Sequence, residues 1–364
     1  MRFKFDQIAI NSTAKKKPVP EDAAHYIGLE HLIPGTFDIP EWGSEVAPVG
    51  EKLLMKKGDV LFGRRRAYQR KVGIAPFDGI FSAHGMVLRP RPESVDEKYF
   101  PFFISSDQFM NEAVRISVGS LSPTINWGTL KNCEFDLPPM DEQKKLAELL
   151  WAANDLKESY KKAITATDEM LKAKFREMFG ECPQVSLASV CKGSGEYGIA
   201  ASADDYDVNK GRYIRITDIM DDGSLNDDVV SPDKYEEKFI LKEDDILFAR
   251  TGNTVGKTYI HKRGHATFAG YLIRYEVDQT KMLPDYLFAY THTDEYYFWV
   301  AKTKKIGAQP NINAMQYDGM TLPCPSLALQ REFVAIADKA ESAKANLKKS
   351  IAAIDQVMKG LING

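Results

Sequence analysis

The chain repeats itself over half its length. Ser122-Pro-Thr-Ile-Asn126, followed by Leu137-Pro-Pro-Met-Asp-Glu-Gln-Lys-Lys145, returns as Gln309-Pro-Asn-Ile-Asn313 followed by Pro325-Ser-Leu-Ala-Leu-Gln-Arg331. Pro123 and Pro310, Gln143 and Gln330, and Leu146 and Phe333 each lie 187 positions apart. Upstream, Lys56-Lys-Gly-Asp-Val-Leu-Phe-Gly-Arg64 is echoed by Lys242-Glu-Asp-Asp-Ile-Leu-Phe-Ala-Arg250 at an offset of 186, and Tyr26-Ile-Gly-Leu29 by Tyr213-Ile-Arg-Ile216 at 187. Solenoid units run to roughly 20 to 50 residues, so a repeat this long is a duplicated domain. Two diverged copies imply a pseudo-twofold molecule that makes one kind of contact at two places.

Each copy reads as a mixed globule followed by a long helix. Residues 1–140 carry short apolar runs such as Asp59-Val-Leu-Phe62 and Gly85-Met-Val-Leu-Arg89, broken by Gly, Pro and Asn as short strands and loops are. From Asp141 to Phe179 there is neither Pro nor Gly, and Leu146, Leu150, Ala153, Leu156, Tyr160 and Ile164 recur at helical spacing. Gly180 and Pro183 supply the stop. After a second globule at 181–325, the segment 326–364 places Phe333, Ala340, Leu347, Ile354 and Leu361 at one heptad position, with Ile351 on the other side of the stripe. The reading is an α+β (mixed α/β) chain: globules at 1–140 and 181–325, and helices at 141–180 and 326–364. The two helices are expected to pair antiparallel as a coiled-coil spacer, since a pseudo-twofold axis reverses one relative to the other. The alternative is that each packs only on its own globule.

Composition bounds the function. A net charge of −3 excludes a uniformly basic nucleic-acid binder, so any such face must be local. No apolar run approaches the roughly 18 residues of a membrane span and no signal-like core opens the chain, which points to the cytoplasm. Cys133, Cys182, Cys191 and Cys324 form no CxxC, and the six histidines have no metal spacing. Gly252-Asn-Thr-Val-Gly-Lys-Thr258 resembles a phosphate loop but is one residue short of the Walker pattern. Gly193-Ser-Gly-Glu-Tyr-Gly198 satisfies GxGxxG, yet no amphipathic helix follows it. The Asn-Pro-Pro-aromatic motif of an amino-methyltransferase is missing.

Gly119-Ser-Leu-Ser-Pro-Thr-Ile-Asn-Trp-Gly-Thr-Leu-Lys-Asn132, then Leu137 to Lys145, then a long helix resembles the end of a target-recognition domain of a type I restriction-modification specificity subunit. Gly307 to Asn313 with Pro323-Cys-Pro-Ser-Leu-Ala-Leu-Gln-Arg331 resembles the same motif again, and Val185 to Ile219 resembles a domain opening. The resemblance runs over nearly the whole chain, loosest at Phe3 to Ala9. It implies a non-catalytic subunit in which each recognition domain reads one half of a split double-stranded DNA target. The implied partners are two methyltransferase subunits using S-adenosylmethionine and restriction subunits using ATP and magnesium, with none of these cofactors on this chain. A stand-alone DNA-binding regulator with a helical stalk is the other reading, and an NTPase built on the short phosphate loop a distant third.

DNA contact is expected at the local basic segments, because Arg and Lys neutralise phosphates while Arg, Asn, Gln and Thr read base edges. Arg64, Arg65, Arg66, Arg70 and Lys71 surround Tyr68 just after a strand-like run; Arg250, Asn253, Thr254 and Lys257 stand at the equivalent place in the second copy. Lys15, Lys16 and Lys17, then Lys302, Lys304 and Lys305, together with Tyr197, complete the candidates. Against this, charge runs are usually solvated surface, and Arg64 and Arg250 follow Leu-Phe-x in both copies, as structural residues would.

Overall fold

The computed structural model describes residues 1–304 and 310–363. The chain forms two compact units: Met1–Tyr160 with Lys348–Gly364, and Lys161–Leu347. The two long helices are Met140–Phe179 and Leu327–Asn363, and each unit takes part of both.

Unit 1 contains a four-stranded antiparallel sheet in the order Ala9–Ser12, Met86–Pro90, Val60–Phe62, Val72–Ile74. Unit 2 contains Glu196–Tyr197, Leu272–Tyr275, Ile246–Ala249 and Thr258–Ile260 in the same order. Parallel pairing of Tyr26–Ile27 with Gly79–Phe81 is matched by Arg212–Ile214 with Ala266–Phe268. Antiparallel Arg2–Lys4 and Glu134–Asp136 are matched by Gln184–Ser186 and Thr321–Pro323. The sequence repeat is thus a repeat of topology.

The repeated motifs are joints of this topology. Asp59 accepts from the Lys56 amide at 2.8 Å and takes Arg89 in two bonds of 2.7 and 2.8 Å, closing the turn that launches Val60–Phe62. Asp245 accepts from the Lys242 amide at 2.8 Å in the same way. The left-handed turn position is Gly58 (φ 90°) in one copy and Asp244 (φ 71°) in the other. Gln143 and Gln330 are fully buried at the starts of the long helices. Gln143 donates to the Ser94 and Pro138 carbonyls and accepts from the Asp96 amide; Gln330 donates to those of Lys281 and Pro325 and accepts from the Leu283 amide. Each glutamine thereby fastens its helix to the globule through three backbone groups.

Within unit 1, Ala147 and Leu150 of the first long helix join the core of Phe5, Phe62, Phe103 and Phe109, together with Met358 of the second; Leu146, Ala153, Ile354 and Leu361 pack against it. Within unit 2, Phe333 meets Phe175 and Phe179 at ring-centroid distances of 5.3 and 5.5 Å. The helices run antiparallel there, since Asp168 meets Lys344 further along. Ala340 is buried, and Tyr160, Ile164, Leu347 and Ile351 are half-buried. Leu156 is a correction to the expected seam: it is 45% exposed, and the inward position belongs to Lys157 next to it, 5% exposed. Apolar spacing alone could not show that a lysine takes a seam position. Among the described residues no helix is long and apolar enough to cross a membrane.

Candidate nucleic-acid interface

The two most conspicuous repeats touch one another. In unit 1 the Ile125 amide donates to the Arg64 carbonyl at 3.0 Å and the Arg66 amide to that of Pro123 at 2.7 Å. In unit 2 the Ile312 amide donates to the Arg250 carbonyl and the Gly252 amide to that of Pro310, both at 2.9 Å. The Pro-x-Ile segment therefore pairs with the chain leaving the central strand, and the basic loop is presented immediately beyond that bridge.

The side chains of this loop are not equally available. Arg64 reaches the Ala83 carbonyl at 3.2 Å, Arg65 the Ser122 hydroxyl at 2.6 Å, Arg70 the carboxylate of Asp107 at 2.6 Å, and Lys71 the Leu29 carbonyl at 2.7 Å. That leaves Arg66 and Tyr68, both exposed, as the outward pair, and the Arg66 side chain has no hydrogen bond or ion pair among the described residues. Arg66 (φ 57°) and Arg70 (φ 51°) are left-handed, a region unfavourable for residues with a Cβ. The Arg70 guanidinium bonded to Asp107 holds that carboxyl below its usual range.

In unit 2 the Arg250 guanidinium lies 4.7 Å from the centroid of the Tyr197 ring, whose hydroxyl is fixed by the Ala314 amide at 3.1 Å. Among the described residues its buried Nε has no partner, and neither has that of Arg64. Thr254 turns its hydroxyl to the Thr251 carbonyl and Asn253 is exposed. Lys257 binds Asp221 at 2.8 Å and the Ile219 carbonyl at 3.3 Å. The amides of Gly252, Val255, Gly256 and Lys257 all donate to backbone carbonyls, so this loop is wound on itself rather than open as a phosphate cradle. Gly195 and Gly198 are equally local: a Cβ on Gly198 would meet the Phe268 carbonyl at 2.2 Å, and one on Gly195 the side chains of Ile273 and Tyr275.

Elsewhere, Lys15 and Lys16 pair with Glu51 and Asp22, while Lys17, Lys302 and Lys304 are exposed; Lys305 lies outside the described residues. Burial pushes the Cys191 thiol up to about 12 and that of Cys133 to about 11, far from a nucleophile at neutral pH. Sequence reasoning missed the groups that hold the two loops: Asp107 in unit 1, and in unit 2 Tyr296 and Tyr317, whose hydroxyls donate to the Gly256 and Ala249 carbonyls at 2.8 and 2.9 Å. A signal existed at offset 186, where Arg66 and Arg70 stand against Gly252 and Gly256.

The pattern of the type I restriction modification DNA specificity domain matches residues 43–166 and again 183–356. The chain belongs to this family. A type I restriction enzyme StySPI specificity subunit of Salmonella potsdam is 23% identical over 321 residues, 80% of this chain and 67% of that protein. A putative type I restriction enzyme MjaX specificity subunit of Methanocaldococcus jannaschii is 26% identical over 128 residues, 34% of this chain and 30% of that one. A chain solved in work on assembly of a type I R-M system covers all of this chain and 96% of its own at TM-score 0.59 and 15% identity. A type I S subunit from M. genitalium does so at TM-score 0.56, 13% identity and 94%. These likenesses carry the fold. This specificity-family chain has two specificity domains in tandem, and the strand–loop–bridge unit is present in both.

Proposed function

We propose that the chain is the non-catalytic DNA-reading subunit of a type I restriction-modification complex, each unit contacting one half of a split target. The observation that supports this most is the duplicated bridge, which delivers a basic loop at the same place in both units. In unit 1 two arginines stand in that loop at left-handed positions where glycine is the unstrained choice. Backbone strain of this kind is retained where function needs the side chain. Arg66, Tyr68 and Arg250 are the contacts of choice; Arg64, Arg65, Arg70 and Lys71 shape the loop and add charge. Methyltransferase subunits carrying S-adenosylmethionine, and restriction subunits carrying ATP and magnesium, would supply the chemistry, and the paired helices would fix the unspecified gap.

The test is a domain exchange. Residues 182–325 are replaced by the equivalent stretch of another specificity subunit, and the sites methylated by the complex with its methyltransferase partner are sequenced. One half of the methylated sequence should change and the other persist. Change in both halves would refute independent reading. A regulator without a methyltransferase would leave no methylated target at all.

A further inference from the structure

Two lysines interrupt the apolar seam of the long helices, and they are copies of one lysine. Lys157 and Lys344 lie 187 positions apart, as do Asp168 and Asp355. Both lysines are buried, 5% and 8% exposed. In unit 1 the Lys157 ammonium meets Asp355 at 3.0 Å and donates to the Gly35 carbonyl of the globule at 3.1 Å. In unit 2 Lys344 pairs with Asp168, and with Glu341 of its own helix at 2.7 Å. Each lysine thus finds its carboxylate on the opposite helix.

A seam of heptad-spaced apolar residues is indifferent to sliding by one heptad, because apolar groups then meet apolar groups again. A buried ammonium is not indifferent, since it loses its counter-charge and stays out of water. Sliding these helices by a heptad in one direction sets Lys157 against Lys348 and Lys344 against Lys161; in the other it sets them against Ile362 and Phe175. Like charge or hydrocarbon faces both lysines in either case. Lys344 keeps Glu341 in any register, whereas Lys157 relies on the other helix and on Gly35, so unit 1 is the more sensitive.

We propose that the duplicated Lys–Asp pairs are the register key of the two long helices, with Lys157, Asp355, Lys344 and Asp168 acting as positioning residues for the recognition domains. The consequence for target spacing rests on the function proposed above; the register itself does not.

Two readouts separate these. In a full-length chain without its four native cysteines, spin labels go on Ala152→Cys and Ala353→Cys, both exposed and both in unit 1. A one-heptad slip moves one label relative to the other by about 10.5 Å along the axis. The parent should give one distance, and Lys157→Met/Asp355→Ala, which replaces the pair with apolar groups, should give a second population or a broadened distribution. An unchanged single distance in that folded variant overturns the key. Should it fail to fold, Lys344→Met/Asp168→Ala, with labels on Ala166→Cys and Ala345→Cys, asks the same question in unit 2. The second readout is methylation by the complex on duplexes whose gap differs by one to three base pairs. Preference for the best gap should fall at least tenfold when all four residues are replaced. A parent complex with no split-target preference would defeat the proposed function while leaving the distance result to decide the key.

Discussion

The two units close the same loop by opposite means. At offset 186, unit 1 places Arg66 and Arg70 where unit 2 places Gly252 and Gly256, and all four have positive φ. Unit 2 takes the unstrained backbone and pins it from inside, through the Tyr296 and Tyr317 hydroxyls. Unit 1 has Phe109 and Leu130 at the positions of those tyrosines, 187 earlier, with no hydroxyl to give. It pins its loop from outside, through Arg70 and Asp107. The scaffold is thus shared, while the loop's strain and charge are free to diverge.

The shared part should give the largest effects. Gln330→Ala removes three hydrogen bonds, leaving the Pro325 carbonyl buried without that partner and the Leu283 amide and Lys281 carbonyl partly open to water. At about 1 kcal/mol for the buried group and less for each that water can reach, the loss is about 2 kcal/mol, and Gln143→Ala should lose a comparable amount. Denaturant unfolding of both variants checks this; a loss confined to one of them would break the equivalence of the units.

The divergent part should appear next, in DNA binding. Replacing Arg64, Arg65 and Arg66 together by Ala should weaken binding about tenfold or more, and flatten its salt dependence by about 0.9 in log-log slope for each phosphate left unneutralised. Arg250→Ala should remove no more than one such phosphate interaction. Equal affinity and slope in a folded triple variant would assign the unit 1 loop to solvated surface.

A smaller contrast is in pH. The Asp107 carboxyl is lowered from 3.8 by its bond to Arg70, so the anchor contributes fully above that unfolded value and is lost as pH falls through the lower folded one. The unit 2 loop hangs on phenols, and burial pushes that of Tyr296 up, so it stays a donor throughout. Acidification below about pH 4 should therefore shift the Arg70 side-chain resonances before those of the 252–256 loop. Simultaneous change would mean that Asp107 is not the anchor.

The sequence showed the duplication, the mixed globules and the long helices because those rest on periodicity and on repeated joints such as Asp59/Asp245 and Gln143/Gln330. It did not show Lys157 in the seam, since a lysine beside Leu156 reads as the solvent face until packing is known. Nor did charge counting separate Arg66 from Lys71: both are basic, and only the fold shows that Lys71 is spent on the Leu29 carbonyl. The Arg-for-Gly exchange between copies was visible in the residues, but its meaning depends on φ.

The smallest predicted effect in stability is also the sharpest test of the comparison. Arg66→Gly relieves a left-handed side chain, worth roughly 1–2 kcal/mol, but the freer unfolded chain offsets about 0.5–1 of it, so the net gain should be about 0.5 kcal/mol. DNA affinity should fall, with the salt slope shallower by about 0.9. The reverse exchange is open at Gly252, where an added Cβ meets nothing within 4 Å among the described residues, and closed at Gly256, where it would meet Val300 at 2.8 Å. Gly252→Arg should therefore fold with a stability cost of about 1 kcal/mol and steepen the salt slope by about 0.9. If Arg66→Gly weakens binding and Gly252→Arg strengthens it, unit 1 keeps its strain for the sake of the charge. If neither changes the slope, the left-handed arginines need another explanation.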